Sequence, residues 1–155
     1  MKKSVFMKNW LLAVCFVMIL FGILMAFLAG TPLFDVFNSR IDPAFWGSDQ
    51  VPAEAGMFRS WLYGVWGATI AGWGILLAFV ISGPISRHEK WAWNGVSLGI
   101  IVWYVFDTGL SIVFRVGFNV VFNTVLLAAL LLPMIVLRKH FSSTGQDSSL
   151  PIRSE

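Results

Sequence analysis

Residues 91–137 read WAWNGVSLGIIVWYVFDTGLSIVFRVGFNVVFNTVLLAALLLPMIVL and carry only two charged side chains, Asp107 and Arg115. Crossing the roughly 30 Å hydrocarbon core of a bilayer takes about 20 helical residues. This stretch therefore holds two spans, about 91–114 and 116–137, broken at Arg115–Gly117. A break that short makes the two helices antiparallel neighbours. Upstream, Trp10–Gly30 and Ser60–Ile81 are as long and carry no charge at all. Backbone polar groups in lipid must pair within their own segment, so uninterrupted apolar runs of this length are helices. A transmembrane barrel would show short segments of alternating polarity, and none is present. The expected fold is all-α, a four-helix transmembrane bundle occupying residues 1–141, with an external segment at 31–59 and a flexible tail at 142–155.

Composition agrees. Hydrophobic residues make up 57% of the 155 and charged ones 12%, against about 45–50% and 25% in soluble domains. Mean hydropathy is +0.77. Disorder, collagen and disulfide scaffolds are excluded. The net charge of +3 sits at the ends of apolar runs, not in a stripe that could follow phosphates, so no nucleic acid is expected. The partners implied are the lipid bilayer and a homo-oligomer or larger membrane complex.

Orientation follows from the basic flanks. Lys2, Lys3, Lys8, Arg87, Lys90, Arg138, Lys139 and Arg153 lie on one side, and Arg40, Arg59 and Arg115 on the other, eight against three. Both termini and the Pro84–Lys90 loop are thus expected in the cytoplasm. The first run follows three lysines, as a secretory signal would. It exceeds the usual 7–15 residues of a signal core and offers no good cleavage site near Ala26–Gly30, so it reads as an uncleaved anchor. Such flanks suit a bacterial inner membrane. The 31–59 segment interleaves Asp35, Asp42, Asp49 and Glu54 with Phe34, Phe37, Phe45 and Trp46, a pattern suited to the headgroup layer or to a connector capping the bundle.

The polar residues of the last two spans are the candidate site. Asn94, Ser97, Tyr104, Thr108 and Ser111 recur at three, four or seven and share a helix face, with Asp107 beside it. Asn119 and Asn123 share a face of the last span, one turn beyond Arg115. Counting outward from the turn pairs Ser111 with Asn119 and Asp107 with Asn123, and leaves Arg115 at the rim. A charged Asp at the membrane centre costs about 2.5–3.5 kcal/mol, while an interhelical hydrogen bond returns about 0.6 kcal/mol. Asp107 must therefore be protonated, paired with Arg115, or hydrated. It is either a structural clamp or a functional acid coupling protons or cations.

In the second span Gly64, Gly67, Ala71 and Gly74 form a small-residue seam, the kind that lets helix backbones approach. Ala68 and Gly72 add a second pair of small residues. Trp66 and Trp73, seven apart, form an adjacent stripe expected to pack against the first span.

Other chemistries lack their residues. Cys15 is the sole cysteine, so there is no thiol pair. His88 and His140 lie outside the spans, leaving haem without axial ligands. No His, Cys, Asp and Glu grouping has metal-ligand spacing, and Ser60, Ser82 and Ser97 have no histidine within a span to activate them. No catalytic residue, metal or cofactor is expected. Small multidrug transporters need an acid in their first span, which is absent here.

From about Trp61 to Phe141 the chain resembles uncharacterised small four-span bacterial membrane proteins. The resemblance rests on Gly72-Trp73-Gly74, Trp91-Ala92-Trp93, Asp107 and the Asn119/Asn123 pair. It implies the four-span fold and no particular activity. The expected function is a non-enzymatic accessory or small-ligand-binding bundle, the alternative being a small transporter or channel component coupled at Asp107.

Overall fold

The computed structural model describes residues 2–47 and 51–141, and of His140 the backbone only. The 142–155 tail and Asp49 lie outside the described residues. Five helices follow one another: α1 (Lys2–Leu28), α2 (Asp35–Trp46), α3 (Ala53–Val80), α4 (Lys90–Val113) and α5 (Gly117–Phe141). All but α2 are long and apolar enough to cross a membrane. Helices α1, α3 and α5 are longer than the bare apolar runs, because charged residues such as Lys2, Lys3, Arg59 and Arg138 continue the helix beyond the apolar stretch.

The long helices turn apolar side chains outward. Phe27, Phe79, Phe106 and Val113 are each at least 69% exposed. Soluble monomers rarely expose continuous apolar surface on this scale; against lipid tails it carries no penalty. In space α1 lies between α3 and α5, and α5 between α1 and α4. Helices α3 and α4, although consecutive in the chain, do not pack along their lengths.

The α1–α3 contact is the tightest. A methyl group built on Gly67 would stand 2.5 Å from both Ala26 N and Gly22 O, and one built on Gly22 would stand 2.5 Å from Ala71 N. Side chains at either position would push the backbones apart. Gly74 faces Cys15 and Ile19, and Gly64 meets Ala26 O at an ordinary 3.5 Å. Gly72 has nothing within 4 Å, so the second small pair faces outward. Trp73 reaches toward α4, with its ring 3.8 Å from where a Gly99 methyl would be. Trp66 stacks on Tyr63, with ring centres 6.1 Å apart.

Two prolines, Pro84 and Pro133, shape the end of the bundle where α3, α4 and α5 meet the start of α1. Pro84 has no N–H to give and α3 widens into a π turn over Ile81–Ile85. His88, with φ at 61°, then reverses the chain. Hydrogen bonds from Arg87 and Trp91 hold the Glu89 carboxyl below the usual carboxylate range at the start of α4. Within α5, Pro133 leaves the Ala129 carbonyl without its helical donor. The Trp10 indole of α1 supplies one at 3.0 Å, and the Trp93 indole of α4 donates to Met134 O at 2.8 Å.

The α4–α5 reversal is a Schellman turn. Val116 N donates to Ser111 O at 2.8 Å and Arg115 N to Ile112 O at 3.1 Å, with Arg115 at φ 59°. Above this turn lies α2, which buries Asn38 and Asp42 and is closed by Gly47 at φ 68°. Phe37 of α2 meets Phe118 of α5 edge-on at 5.4 Å. Phe21 of α1 lies 5.8 Å from Phe37 and 5.8 Å from Phe122. These rings dock the connector onto the bundle rather than onto surrounding headgroups.

Candidate functional site

The polar face of α4 meets α5 around Asp107. Asp107 lies six residues before the end of α4 and Asn123 six after the start of α5, so both sit about 9 Å in from the turn at 1.5 Å per residue. Asn119 Nδ2 donates to Asp107 Oδ1 at 2.7 Å, and Asn123 Nδ2 donates to the same oxygen at 2.9 Å. Trp103 Nε1, one turn earlier on α4, donates to Oδ2 at 3.2 Å. A carboxylate offers acceptors only, and each of these partners donates.

Hydroxyl groups close the ring. Ser111 Oγ donates to the Asp107 backbone carbonyl at 2.7 Å and accepts from Asn119 Nδ2 at 2.8 Å. Thr108 Oγ1 lies 3.3 Å from Asn123 Nδ2, as acceptor. Asn123 is only 2% exposed, while Asp107 is half-buried. The two rungs read from the sequence are thus joined through one carboxylate oxygen. Trp103 was not anticipated; its position four residues before Asp107, on the same face, was the available signal.

Two candidate residues stand apart. Tyr104 Oη pairs with Thr124 Oγ1 at 3.1 Å, forming a separate α4–α5 link. Arg115 is exposed on the turn and forms no ion pair among the described residues. The left-handed backbone at Arg115 belongs to the turn, which directs its side chain independently of Asp107. Gly64, Gly67, Ala71 and Gly74 lie on the other side of the bundle, toward α1.

A second polar region lies under α2. Asp42 and Arg59 form an ion pair linking α2 to α3, with the Asp42 side chain 4% exposed. Asn38, one turn before Asp42, lines a cleft of about 470 Å³ with Asp35, Arg59, Ser60 and Gly30. Among the described residues Asn38 Oδ1, Asp42 Oδ1 and Tyr63 Oη have no hydrogen-bond partner. No described group of three or more His, Cys, Asp or Glu side chains could hold a metal ion.

No protein-family model, curated protein or solved structure matches the chain.

Proposed function

We propose that this chain is a non-enzymatic integral membrane protein, an accessory or small-ligand-binding four-helix bundle. The observation that supports the reading is the state of Asp107: its oxygens are engaged by Asn119, Asn123 and Trp103, all from within the bundle. An acid so engaged fastens α4 to α5. In lipid, where apolar contact between helices has no hydrophobic drive, such polar contacts and close packing hold bundles together. The bacterial inner membrane, cytoplasmic termini, a homo-oligomeric or larger assembly and kinship with small four-span bacterial proteins belong to the same proposal. They rest on the basic flanks and on the residues of the resemblance.

A second reading is favoured by one feature. Asp107 is an ionisable group at membrane depth and only half-buried, and such residues often mark proton or ion paths. Asp107→Asn separates the two. The variant keeps a carbonyl oxygen for Asn119 and Asn123 but loses the titratable group. Under the accessory reading it purifies with the same partners or retained ligand as the wild type, by native mass spectrometry from lipid. Under the coupling reading, gradient-driven ion flux measured in proteoliposomes is present in the wild type and lost in the variant. Flux in the wild type would overturn the accessory reading.

A further inference from the structure

The end of the bundle away from Asp107 brings together the start of α1, the π turn and the end of α5 around a cavity of about 190 Å³. It is lined by Ser4, Val5, Lys8, Ile85, Ser86, His88 and Leu137. Lys8 is half-buried there and forms no ion pair among the described residues. The described acid at this end, Glu89, is already engaged, accepting from Arg87 Nε at 2.7 Å and from Trp91 Nε1 at 2.6 Å. Seven described bases, Lys2, Lys3, Lys8, Arg87, Lys90, Arg138 and Lys139, surround this single carboxylate. A half-buried lysine without an acid, lining a cavity in a basic surround, is matched to an anion.

The chemistry of the walls narrows the anion. Ser86 Oγ spends its proton on Ile81 O at 2.7 Å, whereas the Lys8 ammonium and the Ser4 hydroxyl belong to lining side chains that can donate. That set suits phosphate oxygens. The apolar wall continues outward: Val5 is 55% exposed and Phe6 58%, a surface along which acyl chains can run. Basic pockets between transmembrane helices take anionic lipid headgroups in this way. We propose that this cavity binds the phosphate of an anionic phospholipid headgroup, with Lys8 supplying the charge and Ser4 a hydroxyl donor. The proposal rests on the membrane-bundle reading above, and it needs no assumption about which leaflet this end faces.

The test is native mass spectrometry of the full chain released from nanodiscs that hold equal amounts of phosphatidylglycerol and phosphatidylcholine. The wild type should retain phosphatidylglycerol preferentially, by roughly fivefold, the scale of one basic residue at an anionic surface. Lys8→Gln should abolish the preference and Lys8→Arg should keep it. Lys139→Gln, an exposed base that does not line the cavity, should leave it unchanged. Ser4→Leu, which fills the cavity from the first turn of α1, gives an independent arm should Lys8→Gln fail to fold, with thermal unfolding checking the fold of each. An unaltered preference in folded Lys8→Gln or Ser4→Leu, or none in the wild type, would overturn the site. Inorganic phosphate binding through Lys8 without any lipid preference would overturn the lipid assignment. Failure to enter nanodiscs would count against the bundle reading itself, whereas entry without headgroup preference counts against this site alone.

Discussion

Asp107 and Arg115, the two charged side chains between Trp91 and Leu137, solve different problems. Asp107 gathers donors from both helices. Replacing it with Leu takes away the shortest hydrogen bond of Asn119, one bond of Asn123 and the bond of the Trp103 indole. Orphaned polar groups of this kind cost about 1–3 kcal/mol, so Asp107→Leu should unfold earlier in a denaturant titration in detergent. Asp107→Asn should lose less, since only the Trp103 donor then faces an amide N–H₂. Arg115 instead occupies a left-handed backbone position, at φ 59°, closing the Schellman turn. For an ordinary L-residue that conformation costs roughly 1–2 kcal/mol, and glycine is the usual occupant. Its side chain is exposed and forms no ion pair among the described residues. Arg115→Gly should therefore raise stability by about 1 kcal/mol in the same titration. A loss of stability would mean that the guanidinium has a structural role after all.

Among the elements, α1 and α3 approach most closely, and Gly67 shows why. Its missing side chain is required by Ala26 N and Gly22 O, both 2.5 Å from where a methyl would stand. Gly67→Leu should separate the helices and lower the melting temperature, whereas Gly72→Ala, with open space around it, should leave stability unchanged or raise it by up to about 1 kcal/mol through helix propensity. Equal effects would place the contact elsewhere. The seam of α3 was legible because small residues at three and four spacing mark one helix face. Its partners on α1, Gly22 and Ala26, are also four apart, but α1 is so uniformly apolar that no face of it stands out in the sequence. Trp10 illustrates what no single-segment reading contains. Its indole serves the Ala129 carbonyl that Pro133 frees on another helix, 119 residues away in sequence. Nothing local to Trp10 or Pro133 links the two; only packing joins them. Trp10→Phe keeps the ring and drops the donor, so it should destabilise the bundle by about 1–3 kcal/mol, measured by thermal unfolding. The depth match of Asp107 and Asn123 needed nothing beyond counting from a short turn. The inward turn of Asp42 toward Arg59 depends on where α2 docks, which the acidic and aromatic alternation of 31–59 did not specify.

Across the whole molecule, charge and shape divide it into two ends. The start of α1, the π turn and the end of α5 meet at one end, where His88 packs edge-on against Phe141 at 5.6 Å and Lys8 shares a cavity with Ser86 and Leu137. That end carries Lys2, Lys3, Lys8, Arg87, Lys90, Arg138 and Lys139. The opposite end, capped by α2, carries Arg40, Arg59 and Arg115 together with Asp35, Asp42 and Glu54. Arg59 is tied to Asp42 there, so even these three bases are partly neutralised. The retention of Lys and Arg in cytoplasmic loops depends on basic residues near span ends and little on acids, and the counts favour the same end either way. A fusion of a reporter active only outside the cytoplasm should work at Glu54 and stay silent at Arg87 and Gln146. A reporter fluorescent only in the cytoplasm should give the reverse. Replacing Lys2, Lys3 and Lys8 together with Gln leaves Arg87, Lys90, Arg138 and Lys139 at that end, four against three among the described residues, so the orientation should hold with some mixed insertion. Cytoplasmic activity at Glu54 in the unaltered chain would invert the topology and place the Asp107 cluster toward the cytoplasm.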